Sequence, residues 1–300
     1  MKRRAFLGSA ITVLASAGAS AAWRGERVIP EPGGRDSTAA DALGWELGTQ
    51  AWTFRDRSCY EAIDTARALG LTCIELFPGQ ALSPGLPEVK VGPGMSAQQR
   101  SELKGKLAAC GVRAHSFGVV NPSADEGSLR EILAFASDMG MRGIACEPVL
   151  AGQERPSASW ALLGRLTREY GLYAACHNHP RPSTYWDPEV VLREIGEFDK
   201  SLIGACADTG HWTRSGLSTV ESLRRYEGRI LELHFKDVKD NIDHPWGTGG
   251  GDARGQLAEL RRQGFRGAVF VEYEHGSGRE LDENVRRCVA FFDATARELS

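Results

Sequence analysis

The stretch CADTGHW, residues 206–212, places a carboxylate and an imidazole directly after a run of small apolar residues. The run LIGACAD (202–208) has the length and composition of a buried strand, and it ends on Asp208. His211 follows three residues later. The fold of this chain must therefore bring polar side chains to the end of a buried strand.

Apolar runs of the same kind recur along the chain, each of strand length and bounded by turn residues. Amphipathic stretches of helical period separate them, and most end on a glycine, the residue preferred just past a helix. Eight such units between residues 45 and 300 predict an α/β protein with one domain, a (β/α)8 TIM barrel. The runs are LGTQAWT (47–53), LTCIELF (71–77), GVRAHSF (111–117), RGIACEP (142–148), GLYAACH (171–177), LIGACAD (202–208), RILELHF (229–235) and GAVFVEY (267–273).

A doubly wound open sheet is the alternative fold. It gives no reason for eight units, and no GxGxxG motif follows the first run. The predicted helical stretches are 59–70, 96–111, 125–140, 157–171, 187–198, 218–228, 255–264 and 281–300.

The first 22 residues, MKRRAFLGSAITVLASAGASAA, have a basic start and an apolar stretch too short to span a bilayer. They predict an export signal, and the pair Arg3-Arg4 followed by Phe-Leu favours the twin-arginine type over an ordinary secretory signal. Residues 23–44 carry Pro, Gly and charge without a period, so we expect a linker. The mature protein is expected in the periplasm, without a stable membrane anchor.

Charge is balanced along the chain: 36 Lys and Arg residues against 39 Asp and Glu residues give a formal net charge of -3. This balance would attract neither nucleic acid nor an anionic membrane, so a small molecule is the expected partner. The cysteines are odd in number, show no CxxC spacing and lie mostly inside apolar runs, which predicts buried free thiols. One disulfide stays open as an alternative, and the oligomeric state is open as well, a homo-oligomer included.

Polar side chains with metal-binding chemistry end five of the predicted strands. In a barrel these ends meet at one mouth, where so many carboxylates and imidazoles would be unfavourable unless a cation lay among them. Mixed oxygen and nitrogen donors suit one divalent ion, Mn²⁺, Mg²⁺, Co²⁺ or Zn²⁺. The predicted ligands are Glu147, Asp208, His234 and Glu272. The residues predicted to line the pocket or support the ligands are His177, His179 and His211.

Each of these residues also has a structural interpretation. A histidine at a strand end, such as His234, commonly has a structural role. Glu147 precedes a proline and fits a surface loop, and Asp208 with His211 fits a turn and helix-cap pair. Glu272 could be replaced by a second glutamate two residues later on the same side of its strand. Five such coincidences at one end of a barrel favour a metal site over separate structural roles.

Two further features lie near the predicted strand ends. The loop WGTGGGD (246–252) has the composition of a phosphate-binding loop but not the residue order of one, so we expect a mobile loop. Some aromatic side chains could stack on a sugar ring, and others will be core. The aromatic candidates are Trp52, Phe77, Trp186, Trp212 and Trp246.

Several motifs resemble a known family. LGTQAWTFRD, CIELFPGQ, HNHPRPSTYWDP, ACADTGHWTRSGL, LHFKDV and VFVEYE are similar to the sugar phosphate isomerase/epimerase family of xylose isomerase-like TIM barrels, in particular its exported bacterial members. The resemblance covers the chain from residue 45 onward and implies that Asp208, His234 and Glu272 hold one divalent ion. The family's epimerases have a glutamate where this chain has His177, and Glu147 would then substitute for it, as in the dehydratase-like branch.

A metal ion that chelates a ketone oxygen and the neighbouring hydroxyl favours loss of the adjacent proton. The predicted function is a divalent-metal-dependent sugar isomerase or epimerase that works through a metal-bound enediolate. The predicted acid and base groups are Glu272, His177, His179 and His211. Lys236 is predicted to neutralise oxyanion charge, unless it is a solvated loop residue. The alternatives are a metal-dependent lyase or hydrolase of 3-keto glycosides and a non-catalytic sugar-binding barrel.

Overall fold

The computed structural model describes residues 34–150 and 156–300, and these form a (β/α)8 barrel, which confirms the predicted fold. The predicted export signal, residues 1–22, and the first part of the predicted linker lie outside the described residues. Across the two described ranges, no helix is both long and apolar enough to cross a membrane.

Eight parallel strands form the barrel, and β1 pairs with both β2 and β12, which closes it. The strands, in chain order, are β1 (Trp45–Gln50), β2 (Cys73–Leu76), β3 (Ala81–Ser83), β4 (Leu86–Lys90), β5 (Arg113–Val120), β6 (Gly143–Cys146), β7 (Tyr173–His177), β8 (Ile203–Asp208), β9 (Ile230–Phe235), β10 (Asp237–Lys239), β11 (Ile242–His244) and β12 (Gly267–Val271). The ring runs β1, β2, β5, β6, β7, β8, β9, β12, while β3 with β4 and β10 with β11 form two antiparallel hairpins outside it.

Helices between the barrel strands cover the outside of the ring, as in other barrels of this type. Ser58 and Ser96 each start a helix with a capping box, in which the serine and the residue three positions later satisfy each other's backbone N–H groups. The α-helices of the described residues are α1 (Thr38–Leu43), α2 (Cys59–Ala68), α3 (Ala97–Cys110), α4 (Glu126–Asp138), α5 (Ala158–Tyr170), α6 (Pro188–Ile195), α7 (Thr209–Arg214), α8 (Thr219–Arg225), α9 (Ala253–Arg262) and α10 (Gly278–Leu299).

Every predicted strand and helix is present, with bounds that differ by a few residues. The sequence patterns did not predict α7, the two hairpins or a helix inside the predicted linker. That helix, α1, packs on α10, and Arg35 just before it pairs with Asp293 of α10 at 2.8 Å. The end of the predicted linker therefore packs against the barrel. The hairpin of β3 and β4 lies between barrel strand β2 and helix α3.

Polar side chains fill much of the carboxyl-terminal end of the barrel interior. Glu75, His177, Asp208, His234 and Lys236 are each exposed by 1% or less. Small apolar clusters lie elsewhere in the interior, and cysteines contribute to two of them. The cysteines, all at described positions, form no disulfide, as the sequence predicted. Buried charged groups require partners, so this end of the barrel is where a functional site is expected.

Candidate metal centre

Four of the residues singled out from the sequence converge at the carboxyl end of the barrel. His177 is the last residue of β7, and Asp208 is the last residue of β8. His234, near the end of β9, is paired with Asp208 in the strand register, and Glu272 follows β12 directly. These four strands are consecutive in the ring, so their inward-facing side chains meet.

One donor atom from each of these four residues lies within 4.8 Å of the other three. His177 Nε2 is 3.5 Å from Asp208 Oδ2, and His234 Nδ1 is 3.0 Å from Glu272 Oε2. All four side chains are buried. Two imidazole nitrogens and two carboxylate oxygens form a donor set that suits Zn²⁺, Mn²⁺ or Co²⁺.

Three of the four donor atoms make no well-directed hydrogen bond within the described part of the chain. They are His177 Nε2, His234 Nδ1 and Glu272 Oε2. Their short contacts are ion-pair contacts without hydrogen-bond geometry, such as those of His177 with Asp208 and of His234 with Glu272. Buried polar atoms in folded proteins nearly always have a hydrogen-bond partner. One cation among these atoms would satisfy all three, so the residues present fit a divalent ion.

Lys236 supplies a positive charge at the edge of this group. Its Nζ is 2.9 Å from Asp208 Oδ2, 2.8 Å from Glu272 Oε2 and 3.3 Å from Glu274 Oε2. Burial opposes its charge, but the carboxylates, Asp208 first among them, raise the pKa of Lys236 above its usual value. With 1% exposure, Lys236 is not the solvated loop lysine that the sequence left open.

Asp208 uses its two carboxylate oxygens for different contacts. Oδ1 accepts the backbone N–H of His211 at 2.7 Å and so caps α7, while Oδ2 faces Lys236 and His177. Burial opposes the negative charge, but His211 and Lys236 hold the pKa of Asp208 well below its usual value. The helix-cap interpretation is therefore correct, and it leaves Oδ2 available to a metal ion.

Glu147, one of the predicted ligands, lies beside the four-residue group. Its Oε1 accepts the backbone N–H of His179 at 2.6 Å, is 2.6 Å from His179 Nδ1 and is 3.4 Å from His177 Nδ1. Burial opposes ionisation, but hydrogen bonds from these two histidines lower the pKa of Glu147. Glu147, His177 and His179 form a second set of close donor atoms, and His177 belongs to both sets.

A cleft of about 260 Å³ opens beside the donor group. His179 and His211 line part of it, with their rings stacked at a centroid distance of 5.1 Å. Trp52 and Phe77 line another part, edge to face at 4.8 Å. Aromatic faces beside a few polar groups are suited to binding a sugar ring.

The model of the xylose isomerase-like TIM barrels matches residues 63–295. The chain belongs to the xylose isomerase-like TIM barrel family. This confirms the family resemblance drawn from its motifs, while membership of the exported subgroup stays a prediction.

Solved structures of the same barrel extend this finding. An uncharacterized protein from Parabacteroides distasonis ATCC 8503 is 29% identical, has a TM-score of 0.67, and covers 83% of this chain and 98% of its own. A D-allulose 3-epimerase from a Methylomonas species is 17% identical, with a TM-score of 0.66 and coverage of 84% and 98%. At that identity the likeness shows the fold alone.

Curated relatives match a shorter stretch. An inosose dehydratase from Bacillus thuringiensis (strain Al Hakam) is 32% identical over 81 residues, which is 27% of this chain and 26% of the relative. The match therefore spans about a quarter of the relative's length.

One buried carboxylate of this xylose isomerase-like barrel was missed by the sequence analysis. Glu75, in β2, is fully buried, and its Oε1 is 3.0 Å from His234 Nε2. Gln50 donates to Oε1 at 3.0 Å, and Ser116 donates to Oε2 at 2.6 Å. Glu75 is placed to accept the Nε2 proton of His234, so Nδ1, which faces Glu272, is the nitrogen that can bind an ion.

The other features singled out from the sequence have mixed outcomes. Trp52 and Phe77 reach the cleft, whereas Trp212 and Trp246 are buried in the core. In the glycine-rich loop after β11, three backbone N–H groups donate to the carboxylate of Asp237, so they are engaged within the chain. These contacts give the loop a structural role in place of phosphate binding.

Proposed function

We propose that the protein is a divalent-metal-dependent sugar isomerase or epimerase that moves a proton next to a carbonyl group. The observation that carries the proposal is the group of four buried donor atoms at the barrel mouth, three of them without a well-directed hydrogen bond. The adjoining cleft, with its aromatic wall and its histidines, supports a sugar as the substrate.

We assign the ion to His177, Asp208, His234 and Glu272. When bound, a divalent ion would polarise the sugar carbonyl and stabilise negative charge on its oxygen. Glu147 orients His177 through the opposite ring nitrogen, as carboxylates commonly do behind histidine ligands. Lys236 adds fixed positive charge beside the carboxylates, which favours a substrate oxygen that becomes negative.

His179 is the proposed general base. Its side chain is 44% exposed and lines the cleft. Glu147 Oε1 lies 2.6 Å from Nδ1, which favours the tautomer with the proton on Nδ1 and leaves Nε2 free to accept a proton from the substrate. Burial lowers the pKa of the neighbouring His211 well below its usual value, and its ring lies in the same wall of the cleft.

Elimination from a 3-keto glycoside is the second candidate reaction. Two observations favour it: the local similarity to an inosose dehydratase, and a histidine at the strand end where the epimerases have a glutamate. His179 and His211 stack on each other and do not face each other across the cleft. These two histidines therefore do not supply the two opposed groups that an epimerisation needs, which favours isomerisation or elimination for them.

Proton exchange tests the reaction class directly. The Mn²⁺-loaded protein is incubated in D₂O with ketohexoses and with 3-keto glycosides, and deuterium in the recovered sugar is measured by mass spectrometry. We expect deuterium at the α-carbon of any true substrate, and release of the aglycone from a keto glycoside if elimination occurs. Turnover without α-proton exchange would instead indicate that the site activates water as a hydrolase does. Sugar binding without any turnover would indicate a non-catalytic barrel.

The choice of His177 over Glu147 as the fourth ligand gives a separate prediction. His177→Ala is expected to weaken Mn²⁺ binding by more than about 100-fold, because it removes a ligand atom. Glu147→Gln removes only the charge behind that ligand, so we expect a loss of about 10-fold. Isothermal titration of the metal-free proteins measures both. The opposite order would make Glu147 the ligand, as predicted from the sequence.

Glu75 is predicted to set the affinity of the site without touching the ion. Glu75→Gln keeps the size of the side chain but removes the charge that favours a proton on His234 Nε2, so Mn²⁺ affinity should fall about 10- to 100-fold. Ser116→Ala is the matched control, because it removes a partner of Glu75 and leaves the carboxylate in place. Nitrogen NMR of the metal-free proteins reports the His234 tautomer. An unchanged tautomer together with unchanged affinity would contradict this role.

We also infer that the protein is exported to the periplasm, on the evidence of residues 1–22 alone. Replacing Arg3 and Arg4 with lysines is expected to retain the precursor in the cytoplasm, because the twin-arginine route reads this pair. Fractionation of cells that express the full chain, followed by immunoblotting, measures it. Export that continues unchanged would indicate an ordinary secretory signal.

A further inference from the structure

A second cluster of metal-binding side chains lies near the opposite, amino-terminal end of the barrel. It consists of Glu46 in β1, Cys73 at the start of β2 and His115 in β5. We propose that these three residues form a separate binding site for a thiophilic divalent cation, Zn²⁺ above all. The proposal does not depend on the function assigned to the barrel mouth.

The strand register brings the three residues together. β2 lies between β1 and β5 in the ring, with Cys73 paired to Gly48 on one side and to Arg113 on the other. One donor atom from each of Glu46, Cys73 and His115 lies within 4.8 Å of the other two. Glu46 Oε2 is 3.4 Å from His115 Nδ1. Small movements of these side chains would place all three donors around one ion.

His115 points to a missing partner in this cluster. Its side chain is only 2% exposed, yet Nδ1 makes no well-directed hydrogen bond to any described residue. A buried imidazole nitrogen whose nearest contact, here the carboxylate of Glu46, lacks hydrogen-bond geometry is uncommon, because nearly all such atoms in folded proteins are well paired. A cation bound by Nδ1 would supply the missing partner.

The donor types select the ion. One thiolate, one imidazole and one carboxylate, with a water in the fourth position, form a four-coordinate set typical of open zinc sites. A thiolate favours Zn²⁺ over Mg²⁺ or Mn²⁺, which prefer oxygen ligands. Burial holds the pKa of Cys73 well above its usual value, so the free side chain is a thiol, and it would release its proton to solvent when the ion binds.

Solvent reaches one member of the cluster, Glu46. A cavity of about 380 Å³ is open to solvent, and Glu46 lies in its wall together with Leu71 and Thr72. Arg113 pairs with the other carboxylate oxygen of Glu46, Oε1. The Arg113 side chain is 55% exposed, so it can turn toward water when a cation takes its place.

Cobalt spectroscopy can test this site separately from the barrel mouth, since the proposed ligands at the mouth include no cysteine. Co²⁺ bound by a thiolate gives a charge-transfer absorption that nitrogen and oxygen ligands do not give. We expect this absorption when reduced wild-type protein is titrated with Co²⁺, and we expect Zn²⁺ to abolish it. The absorption should persist in Asp208→Asn, which removes a ligand of the mouth.

Three substitutions decide whether the assigned residues are the ligands. Cys73→Ser should abolish the absorption, and His115→Gln should weaken Co²⁺ binding at least 10-fold while the thiol is retained. Cys59→Ser, which changes another fully buried cysteine, should leave the absorption intact. Circular dichroism confirms that each variant is folded. No absorption in the wild type, or an absorption that persists in Cys73→Ser, would overturn the proposal.

Discussion

Asp208→Asn is expected to reduce the affinity of the protein for Mn²⁺ by more than about 100-fold, since even residues that only orient a ligand contribute about 10- to 100-fold. The substitution removes the charge on the oxygen that faces His177 and Lys236. Asparagine keeps an oxygen for the N–H of His211, so the start of α7 is preserved. Activity on any sugar substrate should fall with the bound metal.

The fold should survive this substitution. Lys236 loses one of three carboxylate neighbours but keeps Glu272 and Glu274, so the free energy of unfolding is expected to fall by only about 1–3 kcal/mol. Metal content by mass spectrometry and thermal unfolding of the metal-free proteins separate the two effects.

Asp237→Asn is the matched control for this experiment. Asp237 is also a buried aspartate at the carboxyl end of the barrel, but its carboxylate binds the N–H groups of the glycine-rich loop. We expect this variant to lose stability and keep its metal. Wild-type protein without affinity for a divalent ion, or Asp208→Asn with wild-type affinity, would refute the metal centre.

The barrel itself was predictable because its strands are buried on both faces. Such strands read as short apolar runs, and eight of them separated by amphipathic stretches leave few other folds. The polar residues that end these runs stand out for the same reason, so His177, Asp208 and His234 could be found without a structure. They are the last or nearly the last residues of their strands.

The residues that escaped prediction lack this signal. Glu75 lies inside the run LTCIELF and not at its end. Its position two residues after Cys73, on the same face of β2, is the signal that could have placed its side chain inside the barrel. Helix α7 covers only Thr209–Arg214, too short for a helical period to appear. The hairpins lie outside the alternation of strands and helices altogether.

The sequence could not predict the distances between side chains at the barrel mouth. The strand ends place Glu147 and His177 at the same end of the barrel, but which one reaches Asp208 depends on the stagger between neighbouring strands. In the structure His177 comes within 3.5 Å of Asp208, while Glu147 contacts His177 and also His179, just past the end of β7. The choice between Glu147 and His177 as a ligand therefore depends on a difference in position of about one side-chain length.

His179→Gln is expected to lower kcat by roughly 10²- to 10⁴-fold while metal affinity stays within a few fold of the wild type, because proton transfer by a positioned side chain contributes that much. His179 is half exposed in the cleft and lies outside the four-residue donor group. Glutamine is close to histidine in size but cannot accept and release a proton near neutral pH. The substitution therefore removes the base and leaves the ion in place.

Deuterium exchange makes this prediction specific to proton transfer. If His179 removes the α-proton, the variant should lose exchange and turnover to the same degree, whereas loss of a residue that only binds sugar would raise KM and spare kcat. His275→Gln is the control, since His275 is an exposed histidine at the same end of the barrel. Full kcat and full exchange in His179→Gln would give His179 a structural role and move the search for the base to His211 and Glu272, which line the same cleft.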